Sequence, residues 1–372
     1  MRVALDVSAV PPKLAGAGRY IAELARRLPE HAITTSLVTR RDDEARWKEL
    51  SPSATTFPLV PSSRVQRLAY EAVLLGTSDA AKSADVWHSP HYTMPHRRSI
   101  PTVVTIHDLT FFTNPEWHES SKVAFFRRAI SYAATHADVL ISVSDFTARQ
   151  IDEFLPGHAP VVVAPHGVDL TRFSLDNSQD EELFATFGYD FTTPYVFFLG
   201  TFEPRKGIDV LLAAFELLAQ KNPEVELWLA GQSGWGLEQT EAMFTSHIAK
   251  DRIRRLGFVD EQVLPALLRH ARVVAYPSRG EGFGLPVLEA LACGASVVTS
   301  ANTVMSEVAG DAASVVAIGN ADELASSIEV ALQRTPSQRE ETARVARNRA
   351  ESFTWDFSIA RHLDAYELAR RG

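Results

Sequence analysis

Strand-like and helix-like runs alternate twice along these 372 residues. That alternation predicts an α/β protein built from two doubly wound parallel-sheet domains in series. Two further observations agree: the chain is long for one core but comfortable for two, and a polar stretch interrupts it near the middle. In the first half, the apolar runs at residues 3–7, 34–38, 86–88, 102–106, 139–143 and 161–164 read as strands. Their alternation with helices predicts a parallel sheet covered on both faces. Helices fall between them: residues 18–28 place Ile21, Leu24, Ala25 and Leu28 at helical spacing, and residues 123–137 follow a similar rhythm. The second half repeats the scheme, with strands at 195–199, 226–229, 253–256, 273–275, 296–299 and 313–316, and helices at 207–220 and 260–270. After the apolar run ending at Ala164, the segment from Pro165 to Phe173 and the polar residues 174–182 read as a linker, with a hinge at 170–185. The predicted domains are therefore 1–170 and 185–354. Residues 355–372 form a last helix, carrying Trp355, Ile359, Leu363 and Tyr366 at helical spacing.

Bulk properties narrow the function. A net charge of −9 gives no global positive field with which to engage a polyphosphate, so a nucleic-acid partner is not expected. The single cysteine, Cys293, excludes an internal disulfide framework and fits a reducing cytoplasm. No run is apolar enough to cross a bilayer, and the first residues enter a strand rather than a leader.

The most informative stretch runs from Tyr276 to Gly294. A buried strand ends at Ala275; Pro277, Gly280, Gly282 and Gly284 break it, and Pro286 falls in the first turn of the next helix. Strand, glycine turn and helix N-terminus make a site for an anion, because unobstructed amides and the helix dipole point outward there. Glu281 and Glu289, eight residues apart, would repel a phosphate but can accept hydroxyls, as on a ribose or hexose. A second cluster, Gly200-Thr-Phe-Glu-Pro-Arg-Lys206, follows a strand and precedes a helix. Its Arg205 and Lys206 offer a fork and a point charge to a diphosphate. Gly16 and Gly18 resemble a dinucleotide fingerprint only in part, since its third glycine would stand where Ile21 does. No phosphate-binding G-x4-G-K-[ST] loop occurs. His107 and Asp108 end an apolar strand, as do His88 and His91. A zinc site from His88, His91 and His107 is an open alternative without clear further ligands, and no metal is expected.

The spacing Glu281 to Glu289 resembles the E-x7-E pattern of the family 4 retaining glycosyltransferases of the GT-B fold. Other landmarks agree in order: Gly16-Ala-Gly-Arg-Tyr20, His88-Ser-Pro-His91, His107-Asp108, Pro165-His-Gly-Val-Asp169, the Arg205-Lys206 segment and Leu229-Ala-Gly231. The resemblance implies two Rossmann-like domains facing a cleft, with the last helix crossing back onto the first. It also implies a nucleoside-diphosphate sugar as donor and a glycan or lipid-linked acceptor, without a metal. Under it His107, Arg205, Lys206 and Glu281 are catalytic. Gly16, Gly18, Phe258, Val259, Gly282, Phe283, Gly284, Leu285 and Glu289 bind the donor, with Glu289 on the ribose. Arg19, Tyr20, His88, His91 and Asp108 face the acceptor.

The landmarks look most like bacterial mannosyl- or rhamnosyltransferases of surface-polysaccharide assembly, with GDP-mannose the preferred donor. No carboxylate stands out for a double displacement, and the resemblance implies a front-face substitution instead. Lys122, Arg127 and Arg128 beside Phe125 and Phe126 read either as a basic, apolar surface for peripheral contact with the inner membrane face or as a packed amphipathic helix. Two other classes stay open: an epimerase or phosphorylase sharing the architecture, and a non-catalytic sugar-nucleotide binding protein.

Overall fold

The computed structural model describes the chain except residues 13, 15, 233, 235 and 236. It divides into two compact units, Met1–Gly167 with Trp355–Gly372, and Val168–Thr354.

In the first unit seven strands form one parallel sheet: β1 (Arg2–Asp6), β2 (Thr34–Arg40), β3 (Thr55–Val60), β4 (Val86–Ser89), β5 (Thr102–Ile106), β6 (Val139–Ser142) and β7 (Val161–Val163). Their order is β3-β2-β1-β4-β5-β6-β7. The chain builds outward from β1 through β2 and β3, then returns to the other side of β1 at β4. That reversal makes the carboxyl ends of β1 and β4 the place where a doubly wound sheet opens a crevice. Leu5 lies opposite His88 across this pair. Strand β3 escaped the sequence reading because Pro58 interrupts its ladder and half its residues meet solvent; as the edge strand it tolerates both.

The final helix, Trp355–Arg371, packs its Trp355, Ile359, Ala365 and Tyr366 into the core of this unit beside Leu5, Tyr20 and Ile141. A buried polar network fastens it. The Tyr20 hydroxyl lies 2.7 Å from His362 Nε2 and 2.9 Å from Thr105 Oγ1, while His88 bridges the Tyr366 hydroxyl and Thr105, both at 2.8 Å. Burial holds His362 down to about 4, and its Nδ1–H donates to the Ser358 carbonyl. The imidazole is therefore neutral and serves as a hydrogen-bonding bracket.

The second unit carries β8 (Tyr195–Leu199), β9 (Glu226–Ala230), β10 (Ile253–Gly257), β11 (Val273–Tyr276), β12 (Val297–Ser300) and β13 (Ala313–Val316), all parallel, in the order β10-β9-β8-β11-β12-β13. Here the reversal falls between β8 and β11. The expected linker differs from what is observed: the units part at Gly167, and the polar residues beyond belong to the second unit. A helix forms at Asp180–Phe187, and its enclosed Asp180 pairs with Arg269 at 2.5 Å and His270 at 3.1 Å. An acid held by an arginine and a histidine behaves as a core residue, which local composition does not reveal.

Candidate active site

The loops leaving β8 and β11 meet at the reversal of the second sheet, where Gly207 permits the approach, and Gly231 does the same for the loops leaving β8 and β9. Gly207 has φ +70°, and a Cβ there would run into the Pro277 carbonyl; Gly231 has φ +138°, and a Cβ would strike the Gly200 carbonyl. With the loops this close, Arg279 braces them, pairing with Asp209 at 2.6 Å while its amide donates to the Arg205 carbonyl at 2.8 Å. These braces were not foreseen in the sequence.

The contact aligns three charged side chains. Glu281 accepts from Arg205 Nη1 at 2.7 Å on one oxygen and from Lys206 Nζ at 2.5 Å on the other. Ser278 donates to the same carboxylate at 2.7 Å, and Lys206 also donates to the Tyr276 hydroxyl at 2.8 Å. Burial alone would raise the Glu281 carboxyl; the charges of Lys206 and Arg205 and the hydrogen bonds from Lys206 and Ser278 outweigh it, so the group sits at about 2. Lys206 is only 9% exposed. Burial and the Arg205 charge lower its ammonium, and the Glu281 charge opposes them. Arg205 remains a firm cation because Glu281 and Glu203 more than offset its burial. Glu281 and Glu203 together balance the charges of Arg205 and Lys206, so an anion would dock against their N–H donors rather than against a net positive charge.

This geometry revises the expected division of labour. Glu281 was expected to orient the sugar with the Gly282–Gly284 amides, and its oxygens also accept from Arg205, Lys206 and Ser278. Its first role here is to hold the two cations in place. Glu289 was expected to project from its helix; it is 5% exposed, on the inner side of Leu285–Ala292. Gly284, at φ +92°, caps that helix, and a Cβ there would meet Met305 Cγ at 2.9 Å. Gly282 and Leu285 are half-buried, while Phe283 is enclosed against Phe353. Of the pair expected to border a base, Val259 is buried and Phe258 is 67% exposed. Burial pushes the Cys293 thiol up to about 12, as befits an inert core residue.

In the first unit, Tyr20 and His88 correct the expectation of acceptor contact, because both have no exposed surface and serve the network above. Gly16, at φ +48°, opens the helix Ala17–Arg27; Gly18 packs beside Val10 and Leu14, and Arg19 is half-buried. His107 caps β5 with its Nε2–H donating to the Pro90 carbonyl at 2.9 Å, and burial lowers its pKa, leaving a neutral ring with Nδ1 as acceptor. Asp108 accepts from the Tyr92 hydroxyl at 2.8 Å and from the Thr110 amide and hydroxyl, which fixes its loop. His91 lies 3.6 Å from Asp6. In the helix Ser120–His136, Arg127 turns inward to the Phe111 carbonyl at 2.7 Å, Phe126 stacks on Phe111 and Lys122 pairs with Glu119. Packing accounts for most of that segment. Among the described residues no helix is long and apolar enough to cross a membrane.

Comparison with known proteins agrees with this architecture. Residues 14–172 match the family described as Glycosyltransferase Family 4, and residues 179–350 match Glycosyl transferases group 1. The chain is 30% identical over 383 residues to O-antigen chain mannosyltransferase B of Escherichia coli, covering 99% of this chain and 100% of that one. Sucrose-phosphate synthase from Thermosynechococcus elongatus superposes with a TM-score of 0.79 at 20% identity over 100% of both chains. HepE from Anabaena in complex with UDP-glucose gives 0.75 at 20% identity, covering 99% of this chain and 98% of that one. At that identity the two solved structures speak for the fold alone. The chain belongs to the family 4 glycosyltransferases of the GT-B fold, and it is a glycosyltransferase.

Proposed function

We propose that this enzyme moves a hexose, mannose in the first instance, from a nucleoside-diphosphate sugar to a hydroxyl of a glycan or lipid-linked acceptor, with retention and without a metal at the diphosphate. The observation that carries the proposal is the Arg205–Lys206–Glu281 cluster at the β8/β11 reversal. As the bond from anomeric carbon to phosphate oxygen breaks, negative charge grows on the leaving diphosphate. Donors held rigidly in a partly dry site stabilise that charge without reorganising. Arg205 and Lys206 are such donors, and Glu281 keeps them aimed. Glu289 takes the ribose hydroxyls and Phe258 lies along the base. His107, neutral and fixed through Nε2, contacts the transferred sugar. The departing phosphate accepts the acceptor hydroxyl's proton on the same face, so no enzymic nucleophile is required.

Mannose rests on the name of the Escherichia coli relative and GDP on the family resemblance of the landmarks, and the UDP-glucose complex of HepE motivates UDP-glucose as the second donor. The test is incubation with a panel of nucleotide sugars while free nucleoside diphosphate is measured. Transfer predicts slow release of GDP from GDP-mannose, accelerated by acceptor. Release from UDP-glucose alone would replace the donor, and no release from any donor would sink the proposal.

A further inference from the structure

The reversal of the first sheet, between β1 and β4, holds a second cluster, in which His91, expected to face the acceptor, meets two acids that the transfer reaction gives no role. Asp6 ends β1, His91 follows β4, and Glu71 reaches in from the helix Arg64–Val73. Asp6 and Glu71 are 0% and 2% exposed. Asp6 Oδ2, both Glu71 carboxylate oxygens and His91 Nε2 have no hydrogen-bond partner among the described residues. Leaving a buried carboxylate without a donor costs several kcal/mol. Something must meet these atoms.

We propose that Asp6, Glu71 and His91 form a divalent-cation site, with Asp6 Oδ2, one Glu71 oxygen and His91 Nε2 as ligands. One ligand atom from each residue lies within 4.8 Å of the other two. Ligands held about 2.0–2.2 Å from an ion stand roughly 3–4 Å apart, so a small inward rotation closes the set. The outer contacts are those a metal centre uses to fix its ligands. The Ser8 amide holds Asp6 Oδ1 at 3.0 Å, and Thr93 Oγ1 holds His91 Nδ1 at 2.9 Å, which leaves Oδ2 and Nε2 turned inward. The two carboxylates balance a 2+ ion, with Arg67 the neighbouring cation at 3.8 Å from Glu71.

Two other occupants fit less well. A protonated His91 is favoured by the charges of Asp6 and Glu71 and balances one of them, but at 3.6 Å from Asp6 it donates no hydrogen bond there and leaves the second acid unbalanced. Arg67 stands 3.8 Å from Glu71, also too far to donate. Burial accordingly raises the Glu71 carboxyl and Asp6 adds to it, more than His91, Thr93 and Arg67 oppose it. A sugar hydroxyl would need exposed carboxylates. The adjoining cavity of about 560 Å³ is lined by His91, Arg67, Tyr92 and Phe126 but by neither acid. Mixed imidazole and carboxylate ligation suits Zn²⁺ or Mn²⁺, and the bound ion would tie β1, β4 and the Arg64–Val73 helix together at the rim of that cavity.

The experiment strips tag-free, full-length protein with chelator, dialyses it against Zn²⁺ or Mn²⁺, and measures bound metal and the thermal midpoint, with no sugar donor present. Expected are ~1 ion per chain and a metal-dependent rise in midpoint. Glu71→Gln and Asp6→Asn should each weaken binding by at least about tenfold. His136→Ala, at an exposed histidine, should bind as the unaltered chain does. Circular dichroism in chelator confirms that the variants fold; if one does not, the other carries the test. Absence of stoichiometric metal with both ions, or wild-type metal content in folded Glu71 and Asp6 variants, overturns the proposal and leaves the transfer reaction untouched.

Discussion

Glu281→Gln keeps the shape of the side chain and removes its charge, and its consequences can be worked from the geometry. Two cations lie 2.5 and 2.7 Å from the carboxylate. At an effective dielectric of about 20, each contact is worth about 6 kcal/mol before desolvation. The net is smaller: holding the carboxyl at about 2 instead of 4.5 corresponds to about 3 kcal/mol. Because the folded pKa is depressed, that stabilisation is complete above pH 4.5 and is lost only as pH falls through about 2. At pH 7 the glutamine variant should therefore be less stable by about 3 kcal/mol, within the range for breaking a buried pair. The catalytic effect follows from Lys206. Its ammonium, already lowered by burial and by Arg205, loses the larger of the two charges that raise it, leaving only Glu203. The variant should show kcat reduced by about 10²–10³, together with a new fall in activity at alkaline pH as Lys206 deprotonates. Denaturant unfolding and a pH–rate profile read the two effects separately. A folded Glu281→Gln protein with wild-type kcat and an unchanged profile would refute the reasoning.

Lys206→Ala should lower kcat by about 10²–10³, and combining it with Glu281→Gln should cost little more, because the glutamate acts through the lysine; full additivity in a double-mutant cycle would count against that coupling. Glu289→Gln should raise the donor KM by roughly tenfold while kcat changes less, as expected for lost binding to a ribose; steady-state kinetics in donor decides it. Tyr20→Phe strips a hydroxyl from Thr105 and His362, so it should destabilise the protein by about 1–3 kcal/mol with no change in acceptor KM. A shifted acceptor KM at preserved stability would return Tyr20 to the acceptor site.

How far the sequence could be read depended on whether a residue's partner was local. Apolar strands such as Val139–Ser142 and Val273–Tyr276 announce themselves, since a strand buried on both faces needs no partner to be recognised. Strand β3 hid behind Pro58 because edge position is a property of the sheet. Arg205, Lys206, Glu281 and Glu289 were legible as chemistry at strand-to-helix turns. That Glu281 spends both oxygens on the two cations was not, since the loops meet only once β8 and β11 lie side by side. Asp209, Tyr276, Ser278 and Arg279 were overlooked for the same reason. Tyr20 and His88 sat at promising strand and helix ends, but their burial depends on a helix more than 250 residues further along the chain. Glu71 gave no signal at all within an ordinary amphipathic helix.

The central claim is that sugar leaves a nucleoside diphosphate at Arg205 and Lys206 and arrives on its acceptor with its anomeric configuration kept. Proton NMR of the reaction with GDP-mannose and a glycan acceptor tests this directly. The account predicts free GDP appearing together with an α-mannoside, and loss of both signals in Lys206→Ala. A β-mannoside, or an epimerised sugar still attached to its nucleotide, would contradict it.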